Sequence, residues 1–272
     1  MIIGMRRNLL PIIMLPALWL VFTVMTPPVA VLAAEQQLPR LIQTVTDQDV
    51  YEGMLELGLA KTPVLDAEDC ERAYENVKKC VVRIQMGNAH GSGIVWKLTP
   101  EAVVIATNQH VLEYWNDMES YVYFPQGYYM DAEVLGVSAR YDVGFIAVDQ
   151  KQFTHKELMG LHVARAEEEV YNRLQQGDAM FSVDAGSETQ EAGFYEGTVE
   201  DTHRYIEDFE ASMLYCHGFA KEGMSGGGTF DGRGYLIGMT TGGTRQNEVA
   251  CVPLADIEES YEEIVHAAAS DE

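Results

Sequence analysis

The chain runs to 272 residues, 47% of them apolar or aromatic, and carries 18 Lys+Arg against 42 Asp+Glu, a formal charge of −24. That balance excludes nucleic acid as a partner, because binding phosphates takes cationic patches. It favours solubility and leaves the fold open. Residues 1–34 have the build of an export signal: Arg6 and Arg7 form a positive start, Leu9–Met25 is largely apolar, and Val31-Leu32-Ala33 offers a small-residue cleavage site. The apolar stretch is also long enough to be retained as a membrane anchor through residues 8–34. Pro11, Pro16, Pro27 and Pro28 weaken a straight spanning helix without excluding one. Either way the remainder is expected outside the cytoplasm, secreted or membrane-anchored.

Residues 35–74 read as a linker and short helical arm. Within 66–79 a helix is expected: Asp66 can cap it, acids crowd its first turns, and Lys78-Lys79 close it. The pattern then changes to short runs rich in branched and aromatic residues: Val81–Met86, Ser92–Leu98, Ala102–Thr107, Ser120–Phe124, Met130–Val137 and Val143–Val148. Polar, partly helical sequence over 149–177 separates these from a second group: Asp178–Val183, Gly193–Thr202, Ala211–His217, Gly227–Phe230, Tyr235–Thr241 and Glu248–Val252. Many short strands between turn signals predict an all-β protein built of barrels. Leu254–Ala268 closes the chain as a helix, with Ile257, Tyr261, Ile264 and Ala268 on one face. Residues 258–272 form its acidic tail.

The four cysteines suit an oxidising address. Cys216 and Cys251 fall in two predicted strands flanking a glycine-rich loop, and a disulfide between them is the expected pairing. Cys70 and Cys80 can pair only if the helix between them breaks, since ten helical residues span about 15 Å. None has metal-ligand spacing, and neither a metal nor a cofactor is expected. His90, His155, His162, His203, His217 and His266 read as ordinary surface or core histidines. Gly91-Ser92-Gly93 reads as a barrel turn, and Asp231-Gly232-Arg233-Gly234 as a hairpin turn.

The densest signal is Gly223-Met224-Ser225-Gly226-Gly227-Gly228. A serine hydroxyl becomes a nucleophile when a base lies within reach and backbone N–H groups can receive the charge of a tetrahedral intermediate. A base stands upstream at the end of Val104–His110, and an acid at the mouth of Tyr141–Val148. The order is His110, Asp142, Ser225. The stretch also fits the G-x-S-x-G elbow of α/β-hydrolases. That fold requires a helix after the serine and an acid and histidine downstream, whereas Gly-Gly-Thr-Phe-Asp-Gly follows here.

On these residues the chain resembles trypsin-like serine proteases of the chymotrypsin fold, and most of all their HtrA (Deg) branch. Thr107–Val111 matches T-N-x-H-V, Asp142–Phe145 matches D-[VL]-A-[VL], and Gly223–Gly228 matches G-N-S-G-G-P. The likeness covers residues 75–257. Too few residues follow Val252 for the branch's usual peptide-binding PDZ domain. The resemblance implies two six-stranded antiparallel β-barrels with the site in the cleft between them. It implies a serine endopeptidase acting on proteins or peptides through His110, Asp142 and Ser225, with the N–H groups of Gly223 and Ser225 as oxyanion hole. Homotrimers are common in that branch.

By position relative to Ser225, Phe219 is expected at the base of the primary pocket, or packed in the core, with Thr240, Thr241 and Gly242 along a wall. Met224 stands where digestive relatives carry an aspartate that pairs with a freshly cut N-terminus. A methionine makes no such pair, which argues against activation by that cleavage. Gly228 replaces a proline, so a looser loop and a hole formed only with substrate or a regulator are expected. The rival reading is a catalytically inactive relative that keeps the fold to bind protein; an esterase is the third.

Overall fold

A computed structural model describes residues 47–56 and 59–270. The leader or anchor read over residues 1–34 lies outside the described residues. The chain divides into two compact units, Met1–Val50 and Tyr51–Glu272. Of the first, only residues 47–50 are described, as the opening of helix α1 (Asp47–Glu56). All that follows belongs to the second. Among the described residues no helix is long and apolar enough to cross a membrane.

The predicted helix over 66–79 is shorter than expected. Helix α2 spans Cys70–Val77 and is capped by Asp69, whose side chain accepts the Arg72 N–H at 3.1 Å. Asp66 cannot serve, because the preceding segment is drawn out along a turn: Leu65 N–H donates to Arg233 C=O and Asp69 N–H to Gly232 C=O. A 3-10 turn, Lys78–Cys80, then leads into the first sheet.

That sheet comprises β1 (Val81–Met86), β2 (Ala89–Leu98), β3 (Ala102–Thr107), β4 (Ser120–Phe124), β5 (Tyr128–Met130), β6 (Glu133–Val137) and β7 (Gly144–Asp149), in the order β5-β4-β1-β2-β3-β7-β6. It has seven strands rather than six, because the run Met130–Val137 breaks at Asp131-Ala132. The two pieces lie on opposite edges of the sheet. A two-residue corner between opposite edges forces the sheet to curl round on itself. Val82, Ile84, Ile105 and Ile146 share one face of the sheet, Ile94 and Phe145 the other, where Phe145 meets Tyr261 with ring centroids 5.2 Å apart, and all six are inaccessible to water.

The second sheet closes into a six-stranded barrel, β10-β13-β12-β11-β8-β9, from β8 (Ala179–Asp184), β9 (Gly193–Ile206), β10 (Ala211–His217), β11 (Gly228–Asp231), β12 (Leu236–Gly243) and β13 (Glu248–Pro253). Phe181 and Phe230 stack with ring centroids 5.6 Å apart on the face opposite Ser182 and Thr229, next to Phe194. Two short helices, α3 (His155–Met159), opened by a Thr154–Glu157 capping box, and α4 (Glu168–Tyr171), occupy the connection. The all-β, double-barrel expectation holds, with the first barrel realised as a curled sheet.

Helix α5 (Leu254–Ser270) packs Ile257, Tyr261 and Ile264 against both halves. Gly136 in β6 is needed for this: a Cβ there would sit 2.9 Å from Ile264 Cγ2. One of the helix's glutamates is not merely solvated. Glu259 takes hydrogen bonds from the Tyr141 hydroxyl, at 2.9 Å, and from Arg140. The loop that carries Asp142 is thereby tied to α5.

The expected disulfide is corrected. Cys216 and Cys251 are free thiols, as are Cys70 and Cys80. The register of β10 on β13 sets Cys251 opposite Leu214 and Cys216 opposite Val249. The pair is diagonal, about 7–8 Å apart at the backbone, while a disulfide needs Cβ atoms roughly 4 Å apart. Both are buried. A hydrogen bond with Cys251 and burial push the Cys216 thiol up, so it stays protonated.

Candidate active site

β3 ends at Thr107, and the chain turns through a 3-10 helix, His110–Leu112, that fixes His110 at the end of the first sheet. Its Val111 and Leu112 are buried and hold the turn down while the imidazole stays half-exposed. Asp142 meets it from the loop before β7. His110 Nδ1 lies 2.8 Å from Asp142 Oδ2, and the His110 backbone N–H donates to Oδ1 at 3.0 Å. The Thr241 hydroxyl, from β12, also donates to Oδ2, and Asn108 Nδ2 donates to the Asp142 carbonyl at 2.8 Å. Burial acts to raise the Asp142 pKa, but the hydrogen bonds from His110 and Thr241 outweigh it and hold the carboxyl below its ordinary value. The ion is therefore kept charged, and the ring's Nδ1 is committed to it as a donor.

Ser225 is held by its backbone. Its carbonyl accepts the Ser92 N–H at 2.8 Å, and the next two amides bond to Thr240 C=O and Met224 C=O. Gly226 has φ +84, and a Cβ there would lie 2.1 Å from Ser92 O and 2.3 Å from Thr107 Oγ1. Only glycine fits. Gly226→Ala should cost about 2 kcal/mol from the strained backbone alone. Its melting temperature, read by calorimetry, should fall by roughly 4–8 °C.

Ser225 and the His110 turn reach the same corner. Val111, next to His110, and the Ser225 carbonyl both lie within 3.3 Å of the point where a Cβ on Gly91 would sit. From the other side, Gly226 bonds to Thr240, and its neighbour Thr241 bonds to Asp142. Ahead of Ser225, Met224 N–H donates to Lys221 C=O at 3.3 Å with Gly223 at φ +89, a type II turn. Among the described residues neither Gly223 N–H nor Ser225 N–H has an acceptor. Both remain able to meet an incoming oxygen.

The turn is pinned from two directions. Ser92 Oγ donates to Gly223 C=O at 2.7 Å and accepts from Ala185 N–H at 2.9 Å. Lys221 Nζ lies 2.9 Å from Asp184 Oδ2 and 5.1 Å from the centre of the Tyr195 ring. Met224 is buried, 1% exposed, and its sulfur accepts the Lys221 N–H. Gly228 is not loose as expected, because it lies in β11, paired with Val183 on one side and Met239 on the other.

The pocket expectations are revised. Phe219 is 48% exposed and stacks on Tyr195 with centroids 5.3 Å apart, so it floors no enclosed pocket and is no core residue. Thr240 points into the barrel, where its hydroxyl lies 3.0 Å from that of Thr229. Thr241 is committed to Asp142. Gly242 and Gly243 continue from it past Phe209 and Ala220, and a Cβ on Gly243 would sit 2.3 Å from that of Ala220. Ser92 and the Lys221–Asp184 pair were missed by sequence reasoning, and Thr241, expected along a pocket wall, holds Asp142 instead. Gly91-Ser92-Gly93, read as a turn, in fact lies in β2, and its glycines were the available signal. Asp231–Gly234 is the hairpin turn expected, between β11 and β12.

The arrangement can take a proton from a hydroxyl, stabilise the cation that results, and offer two amides to a negative oxygen. The sequence model of the trypsin-like peptidase domain family matches residues 91–239. Among solved structures, the HtrA-type protease AlgW with a tripeptide superposes with a TM-score of 0.62 at 17% identity, over 74% of this chain and 64% of that one. The inactive form of a serine-to-alanine mutant of Rv3671c from M. tuberculosis H37Rv gives 0.56 at 14% identity, over 75% and 97%. At these identities the likeness is one of fold, and this chain spans under two thirds of the AlgW chain. A comparison with curated proteins finds no match.

Proposed function

The chain belongs to the trypsin-like peptidase family, and from that premise we propose that it is an exported serine endopeptidase working through an acyl-enzyme. Ser225 Oγ attacks the scissile carbonyl while His110 Nε2 takes its proton. Asp142 holds the ring in the tautomer that can accept it and stabilises the imidazolium. The N–H groups of Gly223 and Ser225 receive the oxyanion. His110 then protonates the leaving amine, and a water, deprotonated by the same ring, releases the acid. Residues 1–34 supply the export signal or anchor. The observation that carries this reading is the hydrogen-bonded His110–Asp142 pair at the corner where a glycine-framed serine arrives.

The test is to incubate the full chain with a fluorophosphonate probe and locate the adduct by mass spectrometry, beside an assay on denatured casein. An adduct on Ser225 with casein cleavage is expected. A chain that never labels favours the inactive binder, and labelling with turnover of small esters alone favours an esterase. Because Lys221 anchors the turn that presents Gly223, Lys221→Met should lower kcat by about tenfold to a hundredfold. KM should move little, since the loss falls on the transition state. A steady-state series on one peptide reads the split.

A further inference from the structure

The sheet register lays two rows of side chains outward from the oxyanion turn. His90 in β2 faces Gln85 in β1, which faces Tyr121 in β4; Ser92 faces Arg83, which faces Tyr123 and then Tyr129 in β5. The inner ends of both rows touch Gly223. A Cβ there would lie 2.4 Å from His90 Nε2, and Ser92 Oγ bonds its carbonyl. The outer ends line a cavity of about 190 Å³ with Arg83, Gln85, Tyr121 and Tyr129 on one wall and Ser187–Thr189 on the other. A larger one of about 540 Å³, sharing Tyr123 and that loop, adds Lys78 and Lys79.

Arg83 is the unusual member. In a chain with 42 acids it forms no ion pair among the described residues. Its Nε donates to Gln85 at 2.8 Å, and among the described residues its guanidinium makes no further donation. The nearby acids are engaged elsewhere: Glu188 accepts the Tyr129 hydroxyl, and Asp184 holds Lys221 and the Gly193 N–H. Glu191 lines the larger cavity beside the two lysines.

We propose that this groove binds the part of a substrate that follows the scissile bond, and that Arg83 selects an acidic side chain there. The inference rests on the peptidase reading. The turn at Lys221–Met224 lies between Ala220, against Gly243, and His90. A chain crossing Ser225 with its acyl half beside Thr241–Gly243 must leave along the His90 side. With the first residue after the cut against His90 in β2, Arg83 in β1 lies one strand spacing further on, about 5 Å, or roughly one to two extended residues. The acidic residue therefore falls at the second or third position after the cut. A guanidinium with free terminal nitrogens meets a carboxylate through a planar fork, which an ammonium cannot reproduce.

The full chain is given a proteome-derived peptide library and the new N-termini are sequenced. Matched quenched peptides carrying Glu or Gln at the enriched position follow. Enrichment of Asp and Glu is expected, with a kcat/KM advantage for Glu of about tenfold in this partly exposed setting, shrinking as salt rises. Arg83→Gln, checked for folding by its melting temperature, should cut both peptides at equal rates. Wild-type cleavage without acidic enrichment, or with no Glu–Gln difference, overturns the inference and leaves the peptidase reading standing. A chain that cuts nothing and takes no fluorophosphonate overturns both.

Discussion

Ser225→Ala should abolish turnover, lowering kcat by about a millionfold, the scale seen when a triad nucleophile is removed. Everything that places this residue acts on the backbone: the Ser92 N–H on its carbonyl and the positive-φ glycines on either side. Alanine keeps all of that and removes one oxygen. The melting temperature should therefore stay within the small range of a surface substitution. A quenched-peptide assay should fall to background while peptide binding persists, and the fluorophosphonate adduct should vanish. A variant that hydrolyses casein as fast as the parent removes Ser225 from the chemistry. Retained labelling at another residue would locate a different nucleophile.

The readable part of this site is the part written in consecutive residues. Thr107–Val111, Asp142–Phe145 and Gly223–Gly228 each join a functional side chain to the backbone geometry it needs, so a short window contains both. The apolar strands are legible for the same reason, since alternation is local. What escaped depends on partners far along the chain. Ser92 matters because of Gly223 and Ala185, and Thr241 because of Asp142, pairings made only once the two sheets face each other. The thiols show this most plainly. Two strands were rightly expected around Cys216 and Cys251, but a two-residue offset in register decides whether they bond, and nothing within either strand states it. Phe219 fails similarly: counting back from Ser225 fixed its place along the chain, while the Tyr195 ring decided where its own ring lies.

Asp142→Asn tests the orientation of the ring, and should lower kcat by about ten-thousandfold with KM nearly unchanged. The amide oxygen can still accept the His110 backbone N–H, which puts the NH2 group where Oδ2 stood, facing Nδ1 and the Thr241 hydroxyl. An NH2 group drives the imidazole to the tautomer with Nδ1 as acceptor and Nε2 protonated, and a protonated Nε2 cannot take the serine proton. Binding is spared because Asp142 lies behind the ring. The same substitution has a stability signature of definite sign. The folded carboxyl titrates below its ordinary value, so its charge stabilises the fold above the ordinary range, and that contribution is lost as pH falls through the folded value. Wild type should lose stability across that acidic window, and Asp142→Asn should show a flatter profile there while being less stable at neutral pH. Urea unfolding at a series of pH values measures both. A variant with the parent's acid slope would mean that Asp142 is not held by His110 and Thr241, and the tautomer argument would go with it.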